Sequence, residues 1–181
     1  MFVYTNYDSA ELFVNGKSMG VQKKNLSTPQ NRYRLMWMDV KYEPGTLKVV
    51  AFNKEGKPIA EKQLKTAGKP YKIVLNPDRK TIYADGKDLS YVIVSVVDVN
   101  GLECPTATNQ LKFNVKGSGV YRAACNGDAT SLELFHLPIM KLFSGKLVVI
   151  VQSLKEAGTI ELLVKGKGLK SGKLNLTAIH L

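Results

Sequence analysis

Histidine, cysteine and tryptophan are nearly absent from this sequence, which holds two, two and one of them in 181 residues. Two cysteines, Cys104 and Cys125, make no disulfide framework. They could pair if their strands lie adjacent, and otherwise read as small buried hydrophobes. Two histidines without a Cys-x-x-Cys pair argue against a structural zinc site. Neither His136, in an apolar connection, nor His180, the penultimate residue, lies in a Gly-x-Ser-x-Gly context, so a nucleophilic triad is not expected. No apolar run approaches the ~20 residues of a membrane span, and no leader peptide is recognisable, because Met1-Phe2-Val3 already reads as a strand. A chain that begins in mid-strand is expected to be a piece of something larger. Helical periodicity is almost wanting as well.

Charge is present in excess of one sign, at +11. Such a balance raises a nucleic-acid or acidic-polymer partner. The lysines are scattered, however: Lys54 and Lys57 flank the Glu55-Gly56 step, and Lys69, Lys87, Lys167 and Lys173 stand beside Gly, Pro or Asp, where turns are expected. Solvated loop ends and edge-strand lysines that discourage aggregation account for them. No nucleic-acid partner is expected, and no membrane partner.

What the sequence does have is alternation. Ala10 to Val14 runs into Asn15-Gly16, a strong short hairpin signal because both residues accept positive φ. Met36, Met38, Val40 and Tyr42 then fall on one face at period two, Glu43-Pro44-Gly45 turns the chain, and Leu47, Val49 and Ala51 alternate with Lys48, Val50 and Phe52. Ile59 to Leu64 forms another strand. Thr66 to Pro70, "TAGKP", is the linker candidate. Beyond it, Tyr71–Leu75, Leu89–Val99 (apolar on both faces, as in a covered central strand) and Leu111–Val115 read as strands. So do the segments carrying Leu147-Val149-Val151, Ile160-Leu162-Val164 and Leu174-Leu176-Ala178. Leu132 to Phe143 is apolar at mixed spacing and broken by Pro138, which predicts a long connection with at most one helical turn. Turn signals roughly every ten residues predict an all-β chain of two consecutive immunoglobulin-like antiparallel β-sandwich domains, residues 1–68 and 69–181.

Candidate chemistry is thin. Glycoside hydrolysis needs two carboxyl groups at a fixed separation, yet Asp39, Glu43, Asp78, Asp85, Asp88, Asp98 and Asp128 sit beside turn residues and suit local backbone bonding. "KGKGLKSGK" lacks phosphate-loop spacing. Asp85–Asp88 and Asn126–Asp128 do not match a calcium loop. No catalytic residue, metal or cofactor is expected. Aromatic stacking on sugar remains: Trp37, with Asn126 and Asp128 in the second half, are the weak carbohydrate-binding candidates. Trp37 is either a solvent-facing platform or a core residue.

Two long stretches carry a family likeness. "VYTNYDSAELFVNGKSMG" and "RYRLMWMDVKYEPGTLKVVAFNKEGKPIAEKQLKTAG" resemble the non-catalytic sandwich that follows the catalytic barrel in many bacterial glycoside hydrolase family 2 enzymes of β-galactosidase type. "LNPDRKTIYADGKDLSYVIVSVVDVNG", "PTATNQLKFNVKGSG", "NGD", "LFSGKLVVIVQS" and "GTIELLVKGKGL" resemble the terminal module of the same enzymes. The resemblance implies an accessory region without catalytic residues. The acid/base and nucleophile glutamates of the family belong to a barrel that would lie before Met1. It further implies an exo-acting parent glycosidase, periplasmic or extracellular. The catalytic barrel of the same parent chain would be the partner, with an oligosaccharide or a homo-oligomer contact through the parent as further options. The alternative function is a carbohydrate-binding module acting on polysaccharide.

Overall fold

The structure is a computed structural model that describes residues 1–180. The chain divides into two compact units, Met1–Thr66 and Ala67–Leu181, two residues ahead of the expected split. Both are β-sandwiches of the immunoglobulin-like kind. No helix among the described residues is long and apolar enough to cross a membrane.

The first unit contains β1 (Phe2–Tyr4), β2 (Ser9–Val14), β3 (Lys17–Lys23), a single turn of helix α1 (Pro29–Arg32), β4 (Arg34–Met36), β5 (Thr46–Phe52) and β6 (Pro58–Lys65). A four-stranded sheet of order β3-β2-β5-β6 faces a two-stranded sheet of β1 and β4. Asn15 and Gly16, at φ 49° and 82°, close the β2–β3 hairpin with the positive φ that its turn requires. Asn15 does more than turn. Its side-chain Oδ1 accepts from the Thr46 amide at 2.7 Å and its Nδ2 donates to the Pro44 carbonyl at 3.2 Å, which pins the start of β5.

The core of this unit is Ala10, Leu12, Leu35, Trp37 and Ala51. Of the two readings of Trp37, a solvent-facing platform or a core residue, the core is the one seen. β4 is only three residues long, Leu35 and Trp37 point inward, and Met38 and Tyr42 are exposed. Reciprocal main-chain bonds between Met1 and Trp37 extend the β1–β4 ladder by one pair and hold the Trp37 side inward.

The second unit contains β7 (Lys72–Pro77), β8 (Thr81–Tyr83), β9 (Leu89–Val97), β10 (Gln110–Gly117), β11 (Gly119–Cys125), β12 (Ile139–Lys141), β13 (Lys146–Ser153), β14 (Gly158–Gly166) and β15 (Gly172–Ile179). A five-stranded sheet, β12-β10-β14-β15-β8, packs on a four-stranded one, β11-β13-β9-β7. All pairs are antiparallel except β15 with β8, which is parallel, a departure from the purely antiparallel expectation. Leu147, Val149, Val151, Ile160, Leu162, Val164, Leu176 and Ala178 line the shared core, each large aliphatic side chain stabilising by about 1.5–3 kcal/mol.

β9 is central in its sheet, but Tyr91 and Ile93 on its outer face are about half exposed, so only one face of its first half is covered. Cys104 is buried and Cys125 exposed, both free. The expected buried pair is therefore one buried thiol and one surface thiol at the end of β11. The Leu132–Phe143 connection contains no helix and instead delivers the short β12.

Candidate functional site

Of the turn carboxylates, Asp78, Asp85, Asp88, Asp98 and Asp128 accept backbone amides. Asp98, buried in the second unit, accepts from the amides of Gly68 at 2.7 Å, Asn100 at 2.8 Å and Leu102 at 2.9 Å. The Gly68 bond is the first cause that holds its carboxyl below the ordinary value, with burial opposing. Asp88 is likewise lowered, chiefly by the Tyr83 amide, and its carboxylate takes Arg79 at 2.6 Å. Asp85 is lowered by the amides of Lys87 and Asp88. Among the described residues no group of three or more His, Cys, Asp or Glu could hold a metal ion.

The three carbohydrate candidates fall in different units, Trp37 in the first and Asn126 with Asp128 in the second. Trp37 is 4% exposed, and its indole Nε1 donates to the Gly20 carbonyl at 3.0 Å. Its ring is spent on the core of the first unit. Asn126 and Asp128 lie together in the second unit and are bonded within their own loop and to the end of β12. The Asn126 Oδ1 accepts the Asp128 amide at 3.0 Å, its Nδ2 donates to the Lys141 carbonyl at 3.1 Å, and the Asp128 Oδ1 accepts the Thr130 amide and hydroxyl.

Those bonds belong to a built surface that sequence reasoning missed. The Glu133 carboxylate accepts the Lys141 amide at 3.1 and 3.2 Å, tying the loop to β12. The Tyr121 hydroxyl lies 2.8 and 2.7 Å from the carbonyls of Phe135 and Leu137, and burial pushes its pKa up to about 12. The Tyr121 ring stacks on Phe113 with centroids 5.8 Å apart. Held in this way, the loop presents Leu132 (95% exposed), Leu134, Phe135 and Leu137 to solvent. The mixed apolar spacing of this stretch was its only signal. A second apolar surface is a cleft of about 280 Å³ in the first unit, with Phe2, Val3 and Tyr4 on one side and Val49, Ala60 and Leu64 on the other.

Both surfaces are apolar and exposed, the kind that suits contact with other protein. The family profile described as "Glycoside hydrolase family 2 C-terminal domain 5" matches residues 73–175. The chain belongs to that family. Residues 1–60 of this family 2 chain match a profile described as a domain of unknown function. The β-galactosidase BoGH2A of Bacteroides ovatus is 43% identical over 178 residues, covering 98% of the chain but 20% of that protein. A β-glucuronidase of Formosa agariphila is 29% identical, covering 100% of the chain and 18% of that protein. Among solved structures, a glycosyl hydrolase family 2 member from Bacteroides cellulosilyticus superposes with TM-score 0.92 at 34% identity, over 98% of this chain and 22% of that one. The family 2 chain thus spans about a fifth of the length of these relatives.

Proposed function

We propose that the chain is a non-catalytic C-terminal accessory region of a β-galactosidase-like family 2 glycosidase, and that it braces the catalytic barrel of the same parent chain. The carrying observation is the rigid apolar ridge at Leu132, Leu134, Phe135 and Leu137. Four large side chains held out by dedicated hydrogen bonds are a costly surface to leave in water. A covering partner removes that cost, and relatives that extend far beyond the matched region supply room for one. The acid/base and nucleophile glutamates of the reaction belong, in this reading, to the barrel. We also assign the parent to the periplasm or the exterior of its cell, on family resemblance alone, and fractionation of the native protein checks that assignment.

Two measurements test the bracing role. The purified chain is expected to show no turnover of a chromogenic β-galactoside, and measurable turnover overturns the reading. The double variant Leu132→Asp/Phe135→Asp is expected to leave the stability of this chain unchanged, since both side chains already face solvent. In the parent enzyme the same change should lower the Tm by several degrees, because it plants two charges in a covered surface. An unchanged parent Tm removes the ridge from the interface.

A further inference from the structure

The two-stranded sheet of the first unit is too narrow for the four-stranded sheet beneath it. Burial fades across the larger sheet in the direction of the gap. On β2, Ala10 and Leu12 are fully buried; on β5, Ala51 is buried and Leu47 and Val49 partly so; on β6 every residue is exposed. The inner face of β6 is nevertheless built as a floor. Ala60, Lys62 and Leu64 lie opposite Ala51, Val49 and Leu47 in register, and Leu64 is 59% exposed. This floor and the flank of β1 bound the apolar cleft.

The flank of β1 is an unpaired edge. β1 pairs only with β4, and the Met1–Trp37 pair exchanges both of its main-chain bonds. Hydrogen-bonded and non-bonded pairs alternate along an antiparallel ladder. The Phe2–Met36 and Tyr4–Arg34 pairs are therefore non-bonded, and the N–H and C=O groups of Phe2 and Tyr4 point away from β4, into the cleft. An open edge over an open floor is the geometry that accepts one more strand: ladder bonds to Phe2 and Tyr4, and alternate apolar side chains down onto Val49, Ala60 and Leu64.

We infer that this position is filled by a strand from the segment of the parent chain that precedes Met1, running antiparallel to β1. The inference rests on the accessory-region reading in one respect, that the parent continues ahead of Met1. The matching profile is described as C-terminal, and BoGH2A is about five times the matched length. Met1 itself lines the cleft, so a short turn ahead of it is enough to lay an antiparallel strand along β1. A strand supplied in this way also covers an edge that would otherwise template pairing with another molecule.

Amide hydrogen exchange tests this on two proteins: the present chain, and the same chain lengthened at its amino end by the segment its gene encodes there. Phe2 and Tyr4 amides are expected to exchange at near-free rates in the first and at least about tenfold slower in the second. Tyr4→Pro removes the outward N–H without touching the β4 ladder. It should leave the Tm of the present chain nearly unchanged but lower that of the lengthened chain by several degrees. Equal exchange in both proteins overturns the inference while leaving the accessory role standing. Protection that appears in the present chain only as its concentration rises assigns the cleft to a second copy and overturns it likewise. A gene that encodes nothing ahead of Met1 overturns both readings.

Discussion

Asp98 shows how a turn carboxylate is consumed by its surrounding backbone. It is buried, and among the described residues no cation pairs with it; its carboxylate is satisfied by three backbone amides, one of them from Gly68 in the "TAGKP" segment. Bonds to the charged form lower a carboxyl pKa, and Asp98, Asp88, Asp85 and Asp128 are all shifted down from 3.8. The linkage follows from the sign. A lowered folded-state pKa contributes stability that is fully present above the unfolded value and is lost as pH falls through the folded one. The second unit should therefore hold its Tm down to about pH 4 and lose it steeply below. Asp98→Asn, which replaces one acceptor oxygen by a donor facing amides, should lower the Tm by about 5 °C at neutral pH and flatten the acid limb. Thermal melts between pH 2.5 and 7 check both. An Asp98→Asn protein whose acid limb matches the wild type would remove Asp98 from the group responsible.

At the scale of elements, the crossing from β10 to β11 shows why some strands are legible in sequence and others are not. Gly117, at φ +86°, lets the chain leave one sheet for the other, and a Cβ there would lie 2.1 Å from the Thr159 carbonyl oxygen. Gly117→Ala combines a left-handed backbone with a backbone clash and should cost about 2 kcal/mol or more. Denaturant titration of the second unit measures it; a loss below half that figure would mean the crossing relaxes freely. The strands on either side differ in what they advertise. β13, β14 and β15 are long; β15 alternates plainly in sequence, while β13 and β14 bury every second residue, Val149 and Leu162 among them, within runs that are apolar on both faces. β11 carries a bulge between Tyr121 and Ala123, which breaks its alternation. β8 and β12 are three residues each, too short for any period. In the first unit both faces of the Leu35–Met38 stretch are apolar, and periodicity cannot say which points inward. The apolar ridge was hidden for a related reason: mixed spacing marks Leu132 to Phe143 only as a connection, and the bonds of Glu133 and Tyr121 are what show that Leu132, Leu134 and Leu137 are held outward.

At the scale of the whole molecule, the two units are unequal in what holds them. The first has a core of Ala10, Leu12, Leu35, Trp37 and Ala51, two of the five being alanine, and its inner sheet face is left partly open along β6. A unit of some sixty residues buries proportionally little of its surface and is marginal on size alone. The second unit encloses a far larger aliphatic core between two broad sheets. Trp37 is the sole tryptophan and sits in the weaker core, so its emission reports the first unit alone. On heating at neutral pH, the Trp37 emission should shift to the red at a temperature clearly below the main loss of β-sheet circular dichroism, which the second unit dominates. Trp37→Phe should not serve as a control for this, because it leaves the Gly20 carbonyl without its indole donor and weakens the same core; added N-acetyltryptophanamide corrects for the intrinsic temperature dependence instead. Coincident transitions would show that the first unit draws its stability from more than its own core.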